Sequence, residues 1–303
     1  MTPLPIAPRW LAVDWGTSSL RGALLDAQGG VLDERAAPRG LLTVPAGGWP
    51  AVFDQTFGDW LQRWPDLPGL MAGMVGSRQG WAEAPYVACP AALPDLAAHL
   101  HWLRPGRLAI VPGLSVDRDG RPDVMRGEEV QIFGALHRLQ QRDATVLLPG
   151  THSKWVTVRD GHVVDFATHM TGECYALFRQ HSILARGLPE ADGPLVPEAF
   201  DEGVARAQQP GGLLHHLFGV RTLGLFDRRP PEALASLLSG LVIGEELRAR
   251  AVAPGLAVVL VGSDALALRY GRALAHRGVQ ATVVDAQEAS WQGLSALAAA
   301  MTP

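Results

Sequence analysis

Apolar and polar positions along this chain follow two periods. Leu11-Ala12-Val13, Leu70-Met71-Ala72, Leu108-Ala109-Ile110-Val111, Val146-Leu147-Leu148 and Val258-Val259-Leu260-Val261 are short and apolar throughout, as in strands buried on both faces. Between them, apolar residues recur every three or four positions, as at Val52, Phe53, Phe57, Trp60, Leu61 and Trp64, which predicts amphipathic helices. The spacing predicts helices over about 51–64, 91–103, 127–141, 173–186, 197–208, 211–218, 231–251, 265–277 and 289–300. It predicts strands at 70–75, 108–111, 257–261 and 281–284, and a polar loop from Asp117 to Asp123.

Two stretches share one grammar. Leu11–Asp14 enters the turn Trp15-Gly16-Thr17-Ser18-Ser19, Leu20–Asp26 leaves it, Gln28-Gly29-Gly30 turns the chain, and Val31–Arg35 returns. In the middle, Val146-Leu147-Leu148 enters Pro149-Gly150-Thr151-His152-Ser153, Lys154–Val158 leaves, Asp160-Gly161 turns, and His162–Ala167 returns. Each copy is strand, Gly-Thr-x-Ser turn, strand, Gly turn, strand, and each is followed by alternating helices and strands. The chain therefore reads as two α/β domains, 1–135 and 136–303, with the helix near 127–141 linking them and the last helix expected to pack back on the first domain.

Such turns suit a nucleotide triphosphate. Glycine lets backbone N–H groups approach phosphate oxygens, and the hydroxyls add donors. Two of them facing each other across a cleft would place ATP there, held by Gly16, Thr17 and Ser18 from one copy and Gly150, Thr151 and Ser153 from the other. Lys154 adds charge or is an ordinary solvated lysine, and His152 reads as a hydrogen-bonding residue. Asp14 ends the first strand, where ligands of open α/β sheets gather, and one carboxylate beside phosphates suits Mg²⁺. Gly262-Ser263-Asp264 ends a later strand and is a candidate for the nucleotide's sugar or base.

Arg126-Gly127-Glu128-Glu129 opens a helix just upstream of the second turn. Acidic residues favour a first helical turn on dipole grounds, so one glutamate is expected to cap and the other to be a general base. Position favours Glu128, with Glu129 and Asp123 open. Ser77-Arg78-Gln79 ends another strand, and Arg78 or Arg126 could grip a carboxylate, Arg78 being the stronger choice.

Hydrophobic residues make up 48% and charged residues 18%, and the formal charge is −4. That suits a globular protein without the basic field that nucleic acid requires, so an acidic substrate needs a few placed cations. Cys89 and Cys174 have no metal-like spacing and read as small core residues of a reducing, cytoplasmic compartment. Met1–Pro8 lacks the pattern of a secretory signal, and no run is long enough to span a membrane. The nine Trp residues read as mostly core, with Trp15 and Trp81 candidates to line the cleft.

Val13-Asp14-Trp15-Gly16-Thr17-Ser18-Ser19, Gly76-Ser77-Arg78-Gln79-Gly80-Trp81, Met125-Arg126-Gly127-Glu128-Glu129, Pro149-Gly150-Thr151-His152-Ser153-Lys154, Thr171-Gly172-Glu173 and Leu238-Ser239-Gly240-Leu241 together resemble the 2-dehydro-3-deoxygalactonokinase family. It is a branch of the actin/sugar-kinase/heat-shock ATPase superfamily. The resemblance spans about residues 10–300. It implies a two-lobed actin-like (ribonuclease H-like) ATPase fold with duplicated βββαβαβ-type domains, the substrate on the N-terminal side and the nucleotide on the C-terminal side. It implies transfer of the ATP γ-phosphoryl, with Mg²⁺, to the 6-hydroxyl of 2-dehydro-3-deoxy-D-galactonate, and adds Glu173 to the substrate set. Partners are then ATP and a small sugar acid, without nucleic acid or membrane, and a homodimer is one option for assembly. Competing readings are a kinase for another acidic sugar, a phosphatase of the same superfamily, or a nucleotide-switched binding protein.

Overall fold

The computed structural model describes residues 6–301; residues 1–5, part of the proline-bearing start, lie outside them. The first meander forms as the sequence predicts: β1 (Trp10–Trp15), β2 (Leu20–Leu25) and β3 (Val31–Ala37). α1 (Trp49–Arg63) follows, then β4 (Gly69–Gly73), β5 (Tyr86–Ala88), α2 (Leu93–Ala98), β6 (His101–Arg104), β7 (Leu108–Ile110), β8 (Gly113–Arg118), β9 (Arg121–Met125) and α3 (Glu128–Leu139). The second meander is β10 (Ala144–Leu148), β11 (Ser153–Arg159) and β12 (His162–His169). It leads into α4 (Thr171–His181), α5 (Pro197–Ala207), α6 (Gly212–Leu225), α7 (Pro231–Ala249), β13 (Ala257–Gly262), α8 (Asp264–His276), β14 (Gln280–Asp285) and α9 (Ala286–Ala300).

Duplication is plain in strand order. The first sheet runs β3-β2-β1-β4-β7-β6 and the second β12-β11-β10-β13-β14. In both, a meander presents its first strand to a parallel neighbour, β1 to β4 and β10 to β13. A third, small sheet is β5-β8-β9.

Contacts divide the chain into two compact units: residues 1–144, 156–166 and 284–303, and residues 145–155 and 167–283. The sequence expectation was a single cut after residue 135. In the first unit, α1 buries Trp49, Val52, Phe53, Phe57 and Trp60 against Leu11, Val13, Leu24 and Met71 of the sheet. Gly22 on β2 makes room for the Phe57 ring. α3 crosses α9 through two glycines: a Cβ on Gly134 would overlap the Ala289 carbonyl, and one on Gly293 the Val130 carbonyl. In the second unit α5 and α7 cross in the same manner, with Gly203 on the Leu237 carbonyl and Gly240 on that of Phe200. Small residues here let two helix backbones approach closely.

Five local expectations are corrected. The helix over 91–103 is only α2, because His101–Arg104 pairs antiparallel with β7 as an edge strand. The loop from Asp117 to Asp123 is a β-hairpin, β8 and β9 joined at Asp119-Gly120, both with positive φ. The helix at 211–218 continues to Leu225; it includes Gly219 and Gly224, where an added Cβ would lie 3.0 Å from Arg206 Nη1 and from Leu234 Cδ1. The helix over 173–186 is α4 followed by a 3₁₀ turn at Ile183–Gly187. Neither cysteine is fully buried, though both are free thiols, and burial and Asp165 raise the Cys89 pKa to about 11.

Candidate active site

In the first unit, three chain segments converge at the carboxyl end of β1. Asp14 is the penultimate residue of β1, opposite Arg21 on β2 and Ala72 on β4. β4 ends at Gly73, whose φ of 93° and close approach to the Trp15 carbonyl both exclude a side chain. Gly127, with φ of 105°, precedes α3, and a Cβ there would lie 3.2 Å from the Gly73 Cα. The N-terminus of α3 therefore sits on the strand end that carries Asp14.

Burial raises the Asp14 pKa above the ordinary carboxylate value, while Arg21 and a hydrogen bond from Ser290 pull it down. The Ser290 hydroxyl lies 3.4 Å from Asp14 Oδ2 and 3.0 Å from the Ala286 carbonyl, so its one proton is shared. Ser290 in turn accepts from Gln131 Nε2 of α3 at 3.2 Å. Asp14 is thus a partly buried carboxylate with acceptor capacity to spare. Mg²⁺ commonly takes one or two carboxylates plus water and phosphate oxygens. Among the described residues no group of three or more His, Cys, Asp or Glu could form an all-protein cage. One carboxylate fits a metal that arrives with a nucleotide.

The turn beyond Asp14 is built to stay open. Gly16 N–H donates to the Ser19 carbonyl at 2.9 Å, and Leu41 and Leu42 N–H donate back to Gly16 and Thr17. Thr17 and Ser18 remain exposed, and a Cβ on Gly16 would meet only the Ser19 carbonyl, at 3.8 Å. Trp15 does not line a cleft: it is fully buried, stacked edge-on against Trp49, with its indole N–H on the Arg39 carbonyl. Trp81 is half-buried against Phe53.

Both glutamates accept a backbone N–H at the start of α3, and they differ in burial. Glu129 is fully buried, and both its oxygens accept from Gly127 N–H, at 2.9 and 2.7 Å. Burial, then the neighbouring Glu128 charge, push its pKa up to about 8. Glu128 is half-buried and accepts from Arg126 N–H at 3.0 Å. At neutral pH Glu129 is mostly protonated, so the pair does not carry two full charges. Asp123 lies within β9, opposite Val116.

The two candidate arginines differ sharply. The Arg78 side chain is 82% exposed and pairs loosely with Glu83 at 3.4 Å; Gln79 is exposed too. Arg126 is stacked on Tyr86 at 4.3 Å, and its Nη2 donates to the Ala84 carbonyl at 2.7 Å. Its Nε and Nη1 are buried without hydrogen-bond partners, as is the Ser77 hydroxyl. Gly76 lets the guanidinium in, since a Cβ there would come within 2.9 Å of Nη1. Buried donors are rarely left unmatched in native proteins, which makes Arg126 and Ser77 candidates for binding an acceptor.

In the second unit, Gly150 and Thr151 form the turn between β10 and β11. A Cβ on Gly150 would meet nothing within 4 Å, so the space on that side of the turn is open. α4 packs on this turn: Gly172 abuts the Gly150 carbonyl, and Glu173 N–H donates to the Thr151 carbonyl at 3.0 Å. The Glu173 carboxylate meets His152 Nε2 at 2.6 Å. Ser153 points inward, its hydroxyl donating to Glu246 at 2.9 Å. Lys154 is not a solvated lysine; it is 4% exposed, with Nζ donating to the Thr168 hydroxyl at 2.9 Å. Beside the turn opens a cavity of about 160 Å³ walled by Gly150, Gly172, Tyr175, Ile243, Leu266 and Tyr270. Its α8 wall begins at Leu266, one turn beyond Gly262 and Ser263.

A sequence model described as 2-keto-3-deoxy-galactonokinase matches residues 14–297. The chain belongs to this family. A Rhizobium meliloti (strain 1021) protein named probable 2-dehydro-3-deoxygalactonokinase DgoK1 is 38% identical over 97% of this chain and 98% of its own. The 2-dehydro-3-deoxygalactonokinase of Escherichia coli (strain K12) is 35% identical, again over 97% and 98%. The crystal structure of a Sinorhizobium meliloti protein assigned to the same activity superposes with a TM-score of 0.88 at 37% identity, over 97% of this chain and 99% of that one. The component A of an Acidaminococcus fermentans (R)-2-hydroxyglutaryl-CoA dehydratase superposes at 0.55 with 12% identity, over 96% and 98%, which speaks to the fold alone. That fold is the actin-like ATPase fold expected of the family.

Sequence reasoning missed Ser290 and Gln131, which link α9 and α3 to Asp14. It missed Gly73, whose missing side chain lets β4 end there. It also missed Glu246 and Tyr270. Only Gly73 had a local signal, a glycine closing an apolar run.

Proposed function

We propose that this protein is a 2-dehydro-3-deoxygalactonokinase, which transfers the γ-phosphoryl of ATP to the 6-hydroxyl of 2-dehydro-3-deoxy-D-galactonate in galactonate breakdown. The observation that carries the reading is the family match along residues 14–297. The site geometry supports roles for individual residues.

The cavity beside Gly150 takes the nucleoside, with the open Gly150-Thr151 backbone approaching its phosphates. In the first unit, the exposed Gly16-Thr17-Ser18 turn offers backbone and hydroxyl donors of the kind that phosphate oxygens accept. Mg²⁺ bound with the nucleotide would supply charge stabilisation at the transferring phosphoryl group, and Asp14 is the residue that would hold it, directly or through water. Glu128 accepts the proton of the 6-hydroxyl as its oxygen bonds to the γ-phosphorus and ADP leaves. Glu129, protonated, caps the helix and keeps Glu128 in place. Arg126, rather than the exposed Arg78, takes the sugar-acid carboxylate with Ser77, because its unpartnered Nε and Nη1 suit an anionic acceptor. Phosphoryl transfer depends mainly on such positioning and charge.

ADP release measured with 2-dehydro-3-deoxy-D-galactonate, its C4 epimer, other aldonic acids and neutral hexoses tests the reading. Turnover confined to 2-keto-3-deoxy acids is expected. Turnover with neutral sugars alone, or equal ATP hydrolysis without acceptor, would overturn it.

A further inference from the structure

Glu246 lies near the C-terminal end of α7 and is 2% exposed. Its carboxylate receives four hydrogen bonds, all from neutral side chains of the second unit. Oε1 accepts from Ser153 Oγ at 2.9 Å and Trp155 Nε1 at 2.7 Å. Oε2 accepts from the Tyr270 hydroxyl at 2.7 Å and from Thr171 Oγ1. Taking a carboxylate out of water is costly unless its lone pairs are satisfied, and these four donors satisfy them two to an oxygen. A packed apolar residue would fill the same space without that cost.

The donors show what the carboxylate does. Ser153 and Trp155 begin β11, directly after the Gly150-Thr151 turn. Thr171 is the first residue of α4, whose next residue, Gly172, rests on the Gly150 carbonyl. Tyr270 lies on α8. Thr171 and Tyr270 themselves line the cavity beside Gly150. One side chain thus ties together the turn, the α4 start and the α8 wall, and without it four buried donors would have to find partners elsewhere.

We propose that Glu246 is a positioning residue for nucleotide binding, which holds the Gly150-Thr151 turn, the start of α4 and Tyr270 in the arrangement that nucleotide requires. This rests on reading the cavity as the nucleotide site. A carboxylate can accept from all four at once. A glutamine keeps one acceptor oxygen; if its N–H2 takes the place of Oε2, the Thr171 and Tyr270 hydroxyls must turn to accept from it and send their own protons elsewhere.

The experiment uses the full chain and titrates MgADP by calorimetry, alongside steady-state kinetics and thermal melting. Ile243→Trp, which fills the cavity, tests the underlying reading. Unchanged MgADP affinity in that variant would place the nucleotide elsewhere, whatever Glu246 does. Glu246→Gln is expected to weaken MgADP about tenfold, the scale of one lost hydrogen bond to a charged group. KM for the sugar acid should stay within about twofold, on the same free-energy scale. Should Glu246→Gln fail to fold, Trp155→Phe removes one donor outside the cavity and is expected to weaken MgADP about threefold. A purely architectural Glu246 would lower the melting temperature and leave MgADP affinity unchanged in whichever of these two variants folds, and that result would overturn the proposal.

Discussion

Asp14 shows how one residue type acquires a role from its surroundings. A carboxylate before a glycine turn is common as a turn cap. Here it sits in a partly desolvated strand end with a shared hydroxyl proton as its side-chain hydrogen bond. Asp14→Asn keeps the shape and removes the charge. It should lower kcat by at least about 10²-fold, the scale of losing a preorganised electrostatic group, with an unchanged circular-dichroism spectrum. A folded variant of near-normal kcat would remove the metal role. The glutamate pair makes a second test. Glu128→Gln should lower kcat by about 10²-fold or more with ATP affinity retained, and Glu129→Gln should be milder; the reverse order would move the base to Glu129. Glu129 also leaves a mark on stability. Its carboxyl ionises near pH 4.5 when unfolded and near 8 when folded. Between those values the native state keeps a proton that the unfolded chain has released, so stability falls as pH rises through that window and levels off above it. Urea midpoints between pH 5 and 8 should therefore fall less steeply in Glu129→Gln, and an equal slope would contradict the burial argument. Asp14, the Gly-Thr turns and the glutamate pair could be proposed from the sequence because each is a local pattern. Ser290 was not, since it meets Asp14 only through the packing of α9, and nothing near either residue in sequence signals the other. The sequence ranked Arg78 above Arg126 without what now favours Arg126, since exposure and missing partners are properties of the folded chain.

Among the elements, the meanders and most helices follow the apolar period closely. The failures came where tertiary pairing overrode it. His101–Arg104 has helical spacing but is captured by β7, and the polar Asp117–Asp123 stretch pairs through its backbone, to which polarity is irrelevant. Glycines inside helices carry the clearest structural test. Gly134 on α3 faces the Ala289 carbonyl, a backbone group that cannot rotate away. Gly58 on α1 has nothing within 4 Å of its would-be Cβ. Gly134→Ala should therefore destabilise by about 1–3 kcal/mol, as overpacking does, whereas Gly58→Ala should stabilise by about 0.4–1 kcal/mol through the unfolded chain. Chemical denaturation of both variants decides it. Equal effects would mean that the α3–α9 crossing is looser than its geometry implies. Because α3 carries Glu128 and α9 carries Ser290, the same crossing sets where two groups of the proposed site stand.

At the scale of the whole molecule, a formal charge of −4 repels a sugar acid on average, so productive binding rests on a local cation. Arg126→Ala should raise KM for the sugar acid at least tenfold, the scale of a charge-assisted bidentate contact, and leave KM for ATP nearly unchanged. Arg78→Ala should change neither by more than about twofold. A larger effect at Arg78 would restore the choice made from sequence alone. No described helix is long and apolar enough to cross a membrane, and the match to full-length kinase relatives covers 97% of the chain. The central claim is the transfer itself. Its most direct test is two-dimensional ¹H–³¹P NMR of the product formed from MgATP and 2-dehydro-3-deoxy-D-galactonate. The expected spectrum correlates the new phosphorus with the C6 methylene protons, one phosphoester forming per ADP released. A phosphorus coupled to any other position, or ADP accompanied only by inorganic phosphate, would contradict the account.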